Sequence, residues 1–137
     1  MTHDEYVALL KEDEGFRPFV YKDSLGVLTC GWGHALHLGS PVPIEACKSF
    51  LAADLARVEK DYEKLGLHLD ATRATVVRCM LFQMGLGGVK KFKSFLRAAR
   101  ASNWEAAAAH MLNSLWARQT PQRAIRLSEI FRTGKTT

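Results

Sequence analysis

Between Glu14 and His34 the chain changes its hydrophobic period, and that change constrains the fold more than any other feature. Before it, Tyr6, Leu9, Leu10 and the pair Asp13-Glu14 keep helical spacing. Thr2-His3-Asp4-Glu5 has the form of a capping box, and Gly15 is a natural stop. Glu14 stands four residues after Leu10, so it is expected to continue the apolar stripe rather than the solvent face. There the negative end of the helix dipole and partial burial would both favour a protonated carboxyl. After Phe19 the pattern is different. Val20, Tyr21, Val27, Leu28, Thr29 and Cys30 are strand formers, while Asp23, Ser24 and Gly26 suit turns. The spacing predicts a helix, then a small antiparallel sheet carrying Asp23 and Thr29 near its turns.

Ala35 to Pro43, with Gly39, Pro41 and Pro43, reads as a loop. A long amphipathic helix is expected from about Ile44 to Leu65, with Ala46, Phe50, Leu51, Leu55 and Val58 inward and Gly66 as its end. Asp70 has the place of an N-cap for a third helix, which Gly85, Gly87 and Gly88 should break. Phe92, Phe95, Leu96 and Ala99 mark another helix. Ser102-Asn103-Trp104-Glu105 reads as a second capping box before an alanine-rich helix. Thr120-Pro121 supplies an N-cap and a proline at N1 for the last helix, which should end near Gly134. The fold class is therefore α+β and mainly α.

The chain has 137 residues, enough for one domain with a real core. No run approaches the roughly 20 apolar residues of a membrane span, and the acids within MTHDEYVALLKEDEG do not fit a cleavable secretory leader. Cys30, Cys47 and Cys79 are odd in number and at no metal-ligand spacing, so buried thiols without a disulfide are expected. A net charge of +5 points to an anionic partner, whether wall, nucleic acid or lipid surface.

Two carboxylates and a hydroxyl, Glu14, Asp23 and Thr29, spread over a helix end and a hairpin, are parts suited to hydrolysing a glycosidic bond. Each also has a plainer reading. Glu14 could be one exposed acid among Glu12, Asp13 and Glu14; Asp23 could be an Asp-turn residue; Thr29 could be an ordinary strand threonine.

The run EGFRPFVYKDSLGVLTCGWGH, closing on Gly31-Trp32-Gly33-His34, resembles the phage-type lysozymes of the T-even-phage kind. Two later blocks are similar to the same family in the same order. One is Phe82-Gln83-Met84-Gly85; the other is Ser114 to Arg123, followed by Phe131-Arg132-Thr133-Gly134. The resemblance implies a lysozyme-like fold over residues 1–137 as a single domain. It would have a small sheet lobe of about 14–60 and a helical lobe of about 1–13 plus 61–137, joined by the long helix. The loop between His34 and the long helix is shorter here than in the T-even-phage type, and Leu115 precedes Trp116 where that relative has arginine.

By the same resemblance, Glu14 is the general acid, Asp23 the second carboxylate and Thr29 its helper in holding a water. Gln83, Phe82 and Gly33 would contact substrate. Arg123 would support Glu14, and His34 would pair with Asp54. Solvated surface roles for Gln83 and Arg123 stay open at this point, and Trp116 is expected in the core. No metal or cofactor is expected, since His34 has no second ligand nearby at suitable spacing. The implied substrate is peptidoglycan, cleaved between N-acetylmuramic acid and N-acetylglucosamine. The alternative is a non-catalytic wall-binding or scaffolding module of the same fold. Binding of nucleic acid is not expected, because no recognisable motif accompanies the basic last helix. A monomer without membrane insertion is expected, made in the host cytoplasm and reaching the periplasmic wall through a holin or another release route.

Overall fold

A computed structural model describes residues 1–136. The element order is α1 (His3–Glu14), β1 (Arg17–Lys22), β2 (Leu28–Gly31), β3 (His34–Ala35), α2 (Ile44–Leu65), α3 (Ala71–Lys90), α4 (Lys93–Arg100), α5 (Trp104–Leu112), α6 (Leu115–Gln119) and α7 (Pro121–Thr133). This mainly helical arrangement with one small antiparallel sheet is the expected α+β class. The chain divides into two compact units, Met1–Ile44 and the residues from Glu45 onward.

The first unit joins α1 to the sheet. Thr2 Oγ1 accepts from the Glu5 amide at 3.2 Å and Glu5 Oε2 accepts from the Thr2 amide at 2.7 Å, so the expected capping box forms. The Gly15 N–H donates to Lys11 O and closes the helix. The sheet has order β1-β2-β3, with Tyr21 opposite Thr29, Thr29 opposite Ala35 and Cys30 opposite His34. Within this unit α1 buries none of its residues, and Tyr6, Leu9 and Leu10 stay about half exposed. Glu14 is exposed as well, contrary to the expectation that it continues an inward stripe. A short helix and three short strands have too little apolar surface to enclose one another.

The second unit holds the core. Phe95, Phe131, Met80, Leu81, Met111, Val77 and Val89 are fully buried there. The long helix α2 has the expected bounds, and it buries Val58, Asp61 and Leu65 near its C-terminal end. Its other apolar residues, Phe50, Leu51 and Leu55, are exposed within this unit rather than inward, because the helical core packs only against the last turns. Arg78 clamps α3 to α2 with two hydrogen bonds of 2.9 Å to the Glu59 carboxylate, its guanidinium stacked over Tyr62. Those bonds from Arg78 hold the Glu59 carboxyl below its ordinary range.

Asp70 caps α3 as expected, accepting from the Arg73 amide at 3.2 Å. Gly85 kinks α3 with φ 74° and ψ 173°, a backbone region that a residue with a Cβ resists, and one further turn follows it. The cap of α5 differs from expectation. Asn103, not Ser102, accepts from the Ala106 amide, and Ser102 takes a left-handed φ of 56° in the turn before it. Thr120 and Pro121 do start α7, but the Thr120 hydroxyl donates back to Trp116 O instead of capping forward. Gly134 ends α7 in the left-handed conformation. None of the cysteines is in a disulfide; Cys30 is half-buried, while Cys47 and Cys79 are exposed, contrary to the buried thiols expected. Cys79 lies on the outer face of α3, one position from the inward Met80.

Candidate active site

The hairpin between β1 and β2 is built on the backbone of one residue, Val27. Asp23 Oδ1 accepts from the amides of Leu25 at 2.9 Å and Val27 at 2.8 Å. The Asp23 amide donates to Val27 O at 2.9 Å, and the Thr29 hydroxyl donates to that same carbonyl at 2.8 Å. Val27 therefore fixes Asp23 and Thr29 relative to one another. Asp23 does perform the turn role open to it from sequence, with one carboxylate oxygen. Its Oδ2 is left over, and so is the acceptor capacity of the Thr29 hydroxyl. Thr29 is 4% exposed, the only buried residue of this unit among those described.

The end of α1 is held against the turn between β2 and β3. Trp32 in that turn meets Phe16 with ring centroids 4.5 Å apart, and Lys11 Nζ lies 4.7 Å from the Trp32 ring centre. The Glu14 side chain runs directly past Gly33. A Cβ at Gly33 would stand 2.7 Å from Glu14 Cδ, well inside contact distance, and φ there is +67°. Glycine is thus required twice over, for the backbone and for the carboxylate. Within the first unit Glu14 has no hydrogen-bonding side chain or cation beside its carboxyl.

The structure thus places Glu14, Gly33, Asp23, Thr29 and His34 in one unit and the remaining expected site residues in the other. His34 is exposed on β3. Asp54 on α2 already has a cation on its own helix, Arg57 at 2.9 Å. Arg123 is exposed on the first turns of α7, and Phe82 is exposed on α3. Gln83 Oε1 accepts from Trp116 Nε1 at 2.8 Å, which leaves the Gln83 amide group to donate elsewhere. Trp116 is buried, as expected. Gln83 and Trp116 line a cavity of about 640 Å³ with Phe92, His110, Asn113 and Gln119. Among the described residues, no three His, Cys, Asp or Glu side chains gather as a metal ion would require.

Sequence reasoning did not find the role of Val27, whose side chain is ordinary and whose backbone does the joining. It also passed over Trp32 as an anchor, although an aromatic between two glycines was a visible signal for a fixed turn. His110 gave no signal as a cavity residue, because helix α6 that completes the cavity has only five residues.

The family described as Phage lysozyme matches residues 11–127. The chain is 29% identical to "Probable T4-type lysozyme 2" of Dictyostelium discoideum, over 92% of each protein. It is 32% identical, over 92% of its own length, to "Pre-baseplate central spike protein Gp5" of Enterobacteria phage T4, of which it spans 27%. It is 33% identical, over 84% of its length, to "Peptidoglycan hydrolase gp36" of Pseudomonas phage phiKMV, of which it spans 14%.

Proposed function

Because the chain belongs to the phage lysozyme family, we propose that it hydrolyses peptidoglycan at the β-1,4 bond between N-acetylmuramic acid and N-acetylglucosamine. The observation that carries the reading is that Asp23 and Thr29 are both bonded to the backbone of Val27, which ties them to one residue and leaves each an acceptor to spare. A water donating one hydrogen to Asp23 Oδ2 and the other to Thr29 Oγ1 has its lone pair directed outward as a nucleophile. Glu14 protonates the leaving glycosidic oxygen, while Asp23 offsets charge on the oxocarbenium-like transition state. Displacement by that water in one step, with its proton passing to Asp23 Oδ2, inverts the anomeric carbon. By family resemblance, Gln83, Phe82 and Gly33 are assigned to substrate contact and Arg123, His34 and Asp54 to structural support.

Digestion of purified sacculi, followed by borohydride reduction of the products, tests the bond assignment. Muramitol at the new ends is the expected result, and glucosaminitol would overturn it. Gly33→Ala is expected to lower the digestion rate roughly 100-fold, since the added methyl displaces the Glu14 carboxyl by about an ångström. An unchanged rate in folded Gly33→Ala protein would contradict the role given to that close approach.

The similarity to a central spike protein favours a second reading, a lysozyme-fold module carried within a larger assembly. On that reading Asp23 and Thr29 serve only the hairpin, and the purified chain releases no reducing ends from sacculi.

A further inference from the structure

Charge is distributed very unevenly along this chain. From Ala71 to Ser128 there is a single acid, Glu105, against ten lysines and arginines. Three of those cations are engaged: Arg73 with Asp70, Arg78 with Glu59, and Arg100 with the Leu65 carbonyl. Lys90, Lys91, Lys93 and Arg97 are different. All four are exposed, they fall within eight consecutive residues, and no hydrogen bond or ion pair holds them among the described residues of the second unit. Helix α4 sets their direction. It buries Phe95, Leu96, Ala98 and Ala99, which leaves Lys93 and Arg97, four apart, side by side on the outer face. Lys91 and Lys93 also rim the cavity of about 640 Å³, whose lining contains no carboxylate. Four like charges without an acid repel one another, and an anionic partner relieves that repulsion.

We propose that this face is a docking surface for carboxylates on the peptide substituents of the wall polymer, which retains the chain on its substrate. The inference rests on the peptidoglycan reading above. Helix α4 spends its apolar side on the core, so no apolar face remains for insertion into a lipid surface. Trp116 beside the patch is buried, and Phe92 within it is half-buried against Phe95 and Trp116, which leaves little ring face there for stacking nucleic-acid bases.

The test uses Glu14→Gln protein, which binds without digesting, and insoluble sacculi sedimented with it. In that background the combined variant Lys90→Gln, Lys91→Gln, Lys93→Gln and Arg97→Gln is expected to bind roughly 10-fold more weakly at low salt. The difference should shrink as salt screens the charges. Sacculi whose carboxylates have been amidated should bind the parent as weakly as the variant. A set of Lys→Arg changes at the three lysines should restore binding, and circular dichroism checks each fold. Equal binding by parent and variant, or indifference to amidation, overturns the docking surface. Weakened binding confined to anionic vesicles or duplex DNA, with sacculi unaffected, also overturns it. The chain with Glu14 intact is assayed in parallel for reducing ends released from peptide-free glycan strands. Release there with charge-indifferent binding sinks only this surface; no release anywhere sinks the hydrolase reading itself.

Discussion

Glu14→Gln is expected to slow sacculus hydrolysis by roughly 10²–10⁴-fold, the usual loss when a general acid is removed. The substitution keeps the shape of the side chain and removes the proton it would donate. Folding should be unaffected, because within the first unit the Glu14 carboxyl anchors nothing: the helix end is closed by the Gly15 amide on Lys11 O. The neighbouring turn is held by Trp32 against Phe16 and Lys11, neither of which the change touches. Release of reducing ends, measured beside circular dichroism and thermal melting, separates the two effects. A folded Glu14→Gln protein that digests sacculi at the parent rate would remove Glu14 from the mechanism.

Phe131→Ala is expected to cost about 3–5 kcal/mol of stability, the range for deleting a fully buried phenyl ring. Phe131 on α7 is wholly buried, with its ring centroid 5.1 Å from that of Phe95 and 5.7 Å from that of Trp104. Its removal opens a cavity where α4, α5 and α7 converge, and those helices cannot close it without moving. The site is also tied down from outside. Arg73 Nε donates to Phe131 O at 2.7 Å, its guanidinium also reaches Arg132 O, and it lies over Trp104. That clamp limits relaxation, which places the cost toward the upper part of the range. Against a total stability of about 5–15 kcal/mol the loss is large. It is read as a fall in the urea midpoint at constant slope. A loss under about 1 kcal/mol would show that the core repacks freely around the missing ring.

Much of the fold was legible locally. The capping box at Thr2 and Glu5, the aspartate cap at Asp70 and the left-handed glycine at Gly134 each satisfy groups within a few residues of themselves. Local signals of that kind fix where a helix starts and stops. The same locality explains the misplaced cap of α5. Ser102 and Asn103 are both good capping residues, and what separates them is the turn after α4, where the Asn103 amide bonds back to Ala98 O. The short helix α6 left no periodic pattern to detect, since five residues scarcely exceed one turn.

For the site, the sequence by itself determined the chemical inventory: two carboxylates, a hydroxyl and a glycine-flanked turn, in the order that marks the family. It did not determine what each group is free to do. Only the tertiary structure decided that Asp23 gives one oxygen to the hairpin and keeps the other, that Thr29 spends its proton on Val27 O, and that Glu14 lies against Gly33. It likewise decided that Phe50, Leu51 and Leu55 gain no cover from the helical core, although their spacing matches that of the buried Val58. The reason is physical. Periodicity and capping are set by neighbours along the chain, whereas the use of a lone pair or an apolar face is set by whichever atoms the fold brings to it.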